Sequence, residues 1–202
     1  MFKLEDKLPK PMGKEKIIYS GKILELFEQK MKVGEKMITY ECVRRSPSVR
    51  VIIDTNDSQE LLLTKEYRPE LEAWDYRLPG GKVFNTLSKY KTYLKENKDV
   101  KPSAKKAALT EIHEECGLNI SDPRLFYIAQ SGGSTIEWDL YYFISHIDKP
   151  RFEEQNLEVG ENIEPNWYSY KQVKKLSLNG KISEDRSVAV LLKYLNNHTK
   201  GV

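Results

Sequence analysis

The chain is poor in cysteine: Cys42 and Cys116 are the only two in 202 residues. Two distant thiols make neither a disulfide framework nor a zinc-ligand pattern. No apolar run is long enough to span a bilayer, and the mean hydropathy is -0.62. Neither charge sign dominates, with 33 Lys and Arg against 30 Asp and Glu and a net charge of +3. That balance gives no argument for a nucleic-acid or membrane surface. Internal repeats and low-complexity tracts are missing too. Residues 1–16 are polar and Lys-rich without a signal-peptide core. A cytoplasmic protein is therefore expected, in which the N-x-S/T triplets at Asn56, Asn119 and Asn197 carry no meaning.

What the chain does have is a hydrophobic content of 39%, enough for one core in one domain, with or without a small extension. Residues 22–31 and 37–45 read as strands around a turn at 33–36, and 50–53 and 61–67 as strands around a turn-rich cluster at 54–58. A short strand ends in Leu78-Pro79-Gly80-Gly81-Lys82. Within the polar stretch 84–101, Leu87, Tyr90 and Leu94 follow helical spacing. Pro102 and Ser103 are expected to start the main helix, with Gly117 as its left-handed C-cap. Strands are expected at 125–130, 138–147 and 164–170, around a loop at 131–134 and an acidic loop at 148–162, and a final helix at 183–197. Strands, one central helix, strands and a terminal helix argue an α+β fold, or a three-layer sandwich with a mixed sheet.

The chemistry concentrates in Thr110-Glu111-Ile112-His113-Glu114-Glu115-Cys116-Gly117-Leu118. On a helical wheel Ala104, Ala108, Ile112 and Cys116 form one apolar stripe. Glu115 falls inside it and Glu111 at its edge. An unpaired carboxylate in such a stripe is costly. Two of them four residues apart also repel, near a helix end whose dipole disfavours negative charge. A bound divalent metal resolves all three problems. His113 reads as exposed and inert, and Cys116 as a small core residue.

These residues resemble the Nudix hydrolase family, whose motif runs G-x5-E-x7-R-E-U-x-E-E-x-G-U. Gly81 matches the first glycine, and Glu111, Ile112, Glu114, Glu115, Gly117 and Leu118 match the second half. Glu66-Tyr67-Arg68-Pro69 and Gly180-Lys181-Ile182-Ser183 resemble flanking features of the ADP-ribose pyrophosphatase branch. The chain departs from the motif at three places. Thr110 stands where the family has arginine, and Pro102 where it has the first glutamate. The 28 residues between Gly81 and Thr110 exceed the pattern by about 15.

The resemblance implies a Nudix-type α/β/α sandwich over residues 47–202, with an insertion at about 84–101, after a small N-terminal β region at 1–46 that pairs copies into a homodimer. It implies hydrolysis of ADP-ribose or a related nucleotide sugar, with Mg²⁺ (Mn²⁺ being possible) on Glu111, Glu115 and the Gly80 carbonyl. Glu114 binds a second ion or orients water. The general base comes from the acidic loop, with Glu161 favoured over Glu158. Arg68 suits a phosphate or base contact or a surface ion pair. Trp74 suits stacking on a nucleobase, or packing, or a dimer contact. The insertion reads as a Lys-rich lid, a solvated extension or a subunit contact, and its Glu96 as a possible substitute for the missing motif glutamate. A catalytically silent Nudix-fold binding protein is the alternative, resting on Thr110, Pro102 and the insertion. A Nudix enzyme for nucleoside triphosphates is less favoured.

Overall fold

The run Ser48–Thr55, rich in β-branched residues, forms strand β4, and every residue in it is buried. A strand covered on both faces needs layers on either side. A computed structural model of the chain, describing residues 8–56, 58–131 and 135–198, supplies them. The fold is α+β with mixed sheets, and the described residues form two compact units.

The larger unit comprises residues 48–83, 99–129 and 140–202. Its sheet contains β4, β5 (Glu60–Arg68), β6 (Ala73–Arg77), β7 (Arg124–Ala129), β9 (Leu140–Ile147) and β10 (Ile163–Ser169). The strand order is β10-β5-β4-β9-β7, with β6 on β5. β4 and β9 run parallel, Ser48 opposite Leu140 through Thr55 opposite Ile147, and the other pairs are antiparallel. β10 forms an edge and so tolerates Pro165. Helix α2 (Val100–Cys116) packs over β4, β9 and β10. Alternate residues of β4 meet α3 (Tyr170–Leu178) and α4 (Asp185–His198): Arg50 pairs with Glu184 just before α4, and Asp54 accepts from the hydroxyls of Tyr170 and Tyr194. Burial first, and then that carboxylate, push both phenols upward in pKa.

The smaller unit comprises residues 1–47, 84–98 and 130–139. Its sheet has the order β1-β2-β3-β8, from β1 (Lys10–Ser20), β2 (Leu24–Val33), β3 (Lys36–Arg45) and β8 (Ile136–Glu137). Gly34, at φ 60°, turns the β2–β3 hairpin. Helix α1 (Leu87–Lys95) belongs to this unit, capped by the Thr86 side chain. Its Lys91 bonds Glu25 at 2.7 Å, while Glu96 pairs with Lys98 at 2.6 Å.

Several boundaries differ from the sequence reading. β1 was not anticipated, because its polar Lys-rich sequence has no apolar alternation and all eleven residues are exposed. α3 was not anticipated either; a capping box at Ser169 and Gln172 starts it directly from β10. α2 begins at Val100 rather than at Pro102, because Asp99 is its N-cap, and Pro102 sits harmlessly in the first turn. Expectations touching residues 1–7, Asp57, residues 132–134 and Thr199 lie outside the described residues.

Candidate active site

Helix α2 is anchored by the Asp99 carboxylate, which accepts the Lys101 N–H at 3.0 Å. Ala104, Ala108, Ile112 and Cys116 are fully buried, and Glu115 is only 6% exposed within the same stripe. Glu111 and Glu114 are half-buried, and His113, Thr110 and Pro102 are exposed. The helix stops at Gly117, φ 58°. A β-carbon there would lie 2.2 Å from the Glu153 carbonyl oxygen, so both conformation and space require glycine.

The segment after Glu153 straps this helix end. The Glu153 N–H donates to the Gly117 carbonyl at 3.0 Å and the Asn156 N–H to the Glu114 carbonyl at 2.9 Å. The Gln155 amide donates to the Glu115 and Ile163 carbonyls. Carbonyls that a helix end leaves open are thus satisfied, and the acidic loop is tied to the helix. Glu161 Oε2 accepts the Glu158 N–H at 2.9 Å, and the Glu161 charge is felt at Glu111.

The second wall is the strap Pro79–Gly81. It is bound to β4 by Val51 N–H to the Pro79 carbonyl and Val49 N–H to the Gly81 carbonyl, both 2.9 Å. Gly80 has φ 143°, and a β-carbon on it would stand 2.3 Å from the Val49 carbonyl oxygen. On Gly81 a β-carbon would stand 2.1 Å from Glu111 Oε1. The two glycines therefore let the strap lie directly against the Glu111 carboxylate, while the Gly80 N–H donates to Glu115 Oε2 at 2.8 Å.

The charges crowd. Burial first, then the Glu114 and Glu161 charges, push Glu111 up to about 7, against the opposing pull of Lys82 and Arg50. Burial, then Glu66 and Glu111, hold Glu115 well above the carboxylate range, opposed by the Gly80 N–H and by Arg50. Two carboxylates one helical turn apart are both driven toward the neutral form. Among the described residues no three His, Cys, Asp or Glu side chains make a ready metal cage. Mg²⁺ does not require one: it binds through one or two carboxylates and fills its octahedron with water and phosphate oxygens. A desolvated, mutually repelling carboxylate pair beside a backbone carbonyl fits such an ion.

The other anticipated residues divide. Glu158 is exposed. Arg68 pairs with Glu70 at 2.6 Å and with Glu66 at 3.5 Å. Trp74 is 40% exposed on β6, edge-on to Tyr67 at 5.8 Å, with the Lys65 ammonium 4.5 Å from its ring centre. Three residues have no role at the site in the sequence reading, although Glu66 and Lys82 stand in segments it quotes. Glu66 is 8% exposed and accepts from the Thr64 hydroxyl at 2.7 Å. Strand alternation, which puts Leu62, Thr64 and Glu66 on one face, carries a signal for it. Lys82, next to the glycines, had proximity as its signal. Arg50 and Asp54 are the ionisable residues of a strand rich in Val and Ile, and an ionisable residue there was itself a sign of a buried partner.

A family model described as the NUDIX domain matches residues 44–189. No curated protein matches the chain.

Proposed function

The chain belongs to the Nudix family, whose members hydrolyse pyrophosphate bonds in small nucleotide derivatives and generally use a divalent metal ion; from that premise we propose Mg²⁺-dependent hydrolysis of ADP-ribose or a related nucleotide sugar, giving a nucleoside monophosphate and a sugar phosphate. The observation that carries the reading is the Glu111–Glu115 pair, packed against the glycine strap with both carboxylates held toward neutrality. Glu111, Glu115 and the Gly80 carbonyl, which retains a second lone pair beside its bond from Arg50, would hold the ion. When bound, Mg²⁺ neutralises diphosphate charge and orients the substrate.

Glu161 takes the proton from the attacking water, with Glu158 as its alternate, and Glu114 orients that water or binds a second ion. Arg68 is offered to a phosphate, and Trp74 to the base. The ADP-ribose preference is supported by the flanking Glu66–Pro69 and Gly180–Ser183 segments. Homodimer formation through the N-terminal unit is supported by exposed apolar side chains on β1 and β3, including Met12, Ile17, Ile18, Met37 and Ile38. Two free cysteines, Cys42 and Cys116, suit the cytoplasm. Exposed Thr110 and Pro102, in the place of charged motif residues, favour the second reading, a silent nucleotide-binding protein.

Release of AMP from ADP-ribose, measured with Mg²⁺ and with a chelator, separates the two readings. Metal-dependent release supports the enzyme. Nucleotide binding without release from any member of a nucleotide-sugar panel supports the silent protein. In an active protein, Glu161→Gln lowers kcat by roughly 10²–10⁴-fold if Glu161 is the base, whereas Glu158→Gln leaves it within about threefold.

A further inference from the structure

Arg50 is the one cation that touches the glycine strap through hydrogen bonds among the described residues. It lies on fully buried β4, 6% exposed. Its Nη1 donates to the Val49 carbonyl at 2.8 Å and to the Gly80 carbonyl at 3.1 Å. Its Nε and Nη2 grip the Glu184 carboxylate at 2.9 and 3.0 Å. Glu184 is fixed in turn by the Ser187 hydroxyl at 2.5 Å and by Arg77 at 3.4 Å. One planar fork thus joins the strand, the strap and the start of α4.

The Gly80 residue is held from both sides. Its N–H is spent on Glu115 and its carbonyl on Arg50. The position that would place an arginine inside the helix motif holds Thr110, whose side chain is exposed. The guanidinium that opposes the carboxylate crowd comes from β4 instead, since Arg50 is felt at both Glu111 and Glu115.

We propose that Arg50 is the positioning residue of the metal site, locking the Pro79–Gly81 strap and with it both the Gly80 carbonyl and the Gly80 N–H that holds Glu115, in place of an arginine at position 110. The inference rests on the metal-site reading above. It also makes a directional claim. A cation that merely lies near a metal site repels the metal, so its removal tightens binding. A cation that positions the ligands weakens binding when removed.

The test is direct Mn²⁺ titration of the full chain by electron paramagnetic resonance, beside amide exchange at Gly80 and thermal unfolding. The wild type is compared with Glu184→Gln, Arg50→Lys and the double variant Arg50→Met/Glu184→Gln. The double variant removes both charges together, so no buried carboxylate is stranded. The expected result is a folded double variant with Mn²⁺ affinity weakened about tenfold or more and faster exchange at Gly80, while amides in the β4–β9 ladder stay protected. Arg50→Lys recovers little, because an ammonium lacks the fork, and Glu184→Gln alone costs about two- to threefold. Unchanged or tighter Mn²⁺ binding in a folded double variant overturns the proposal, as does full recovery by lysine. Should the double variant unfold, Arg50→Lys decides by the same two readouts. Absence of Mn²⁺ binding by the wild type would instead refute the metal-site reading on which the proposal stands.

Discussion

Two buried glutamates, one in each unit, have opposite surroundings. Glu25 on β2 is 0% exposed, and it is met by Arg44 at 3.0 Å and by Lys91 at 2.7 Å. Arg44 is held further by Glu15 at 2.7 Å and Glu137 at 2.6 Å, and these hydrogen bonds, Glu15 first, raise its pKa. Every carboxylate in that cluster touches a cation, and Glu25 touches two. Glu115 accepts one N–H, from Gly80, and no cation forms an ion pair with it among the described residues; Glu66 and Glu111 are like-charged neighbours, and Arg50 opposes them without an ion pair to Glu115. Burial alone does not separate a structural carboxylate from a functional one. Compensation does: a complete ion pair fastens elements together, whereas a carboxylate left short of positive charge inside the protein is poised for a cation.

The sharpest way to break this comparison is to neutralise each member. Glu115→Gln should abolish Mn²⁺ binding and lower turnover by at least about 10³-fold, a loss of roughly 4 kcal/mol in the transition state. It should also raise the metal-free melting temperature, because repulsion is relieved. Glu25→Gln should do the reverse, costing about 1–3 kcal/mol of stability while leaving the Mn²⁺ dissociation constant of the folded protein unchanged. If both variants destabilise alike, or both spare metal binding, the distinction fails.

Steric crowding of the Glu111 carboxylate should have the next largest effect. Gly81→Ala points a methyl at the end of the Glu111 side chain, 2.1 Å from Oε1. A flexible carboxylate can swing away, so the fold survives, but a ligand is displaced. Activity should fall about 10- to 100-fold, with a higher Mg²⁺ requirement. Gly80→Ala is different in kind, since it collides with the Val49 backbone at 2.3 Å and occupies φ 143°. It should cost stability in thermal unfolding as well.

Much of this site was legible in the sequence, and the reasons are particular. The wheel placed Glu115 in the buried stripe because helical periodicity survives any tertiary context, and Glu115 is buried as the stripe requires. Gly117 was readable as a C-cap because few residues tolerate φ 58°. The long-range partners were not readable. Arg50 and Glu184 are 134 positions apart, and no local pattern announces such a pair. β1 was hidden because an exposed strand needs no apolar alternation, whereas α3 carries a legible capping box at Ser169 and Gln172 that a strand drawn through residue 170 runs over. Sequence patterns report what a segment does for its own burial. They are silent on what another segment does for its charge.

The carboxylate crowd also predicts a pH dependence of moderate size. Glu111 has a folded pKa of about 7 against an ordinary value of 4.5. Between these values the folded state holds more proton than the unfolded chain. Stability from this group is therefore full below about 4.5, falls as pH rises through 7, and is flat above. Glu115 acts with the same sign. Melting temperatures measured from pH 4.5 to 8 without metal should show the fall; saturating Mg²⁺ should flatten it and Glu111→Gln should reduce it. A metal-free curve that rises over this window would mean that the two carboxylates are compensated after all.

The smallest expected effect tests a residue outside the carboxylate crowd. Trp74 is 40% exposed, so its truncation exposes little core and should cost less than about 1 kcal/mol of stability. Its ring already meets Tyr67 edge-on and carries the Lys65 ammonium 4.5 Å from its centre. A π-face beside a cation suits the base and phosphate ends of one ligand, and a stacking contact contributes about 1 kcal/mol. Trp74→Ala should therefore raise KM for ADP-ribose by about three- to tenfold with kcat unchanged, the pattern of lost uniform binding. A diphosphate substrate without a base should show no change in KM. That control separates two roles sharing the same geometry. A platform for the base discriminates between the substrates. A tryptophan that only packs against Tyr67 alters both equally or neither.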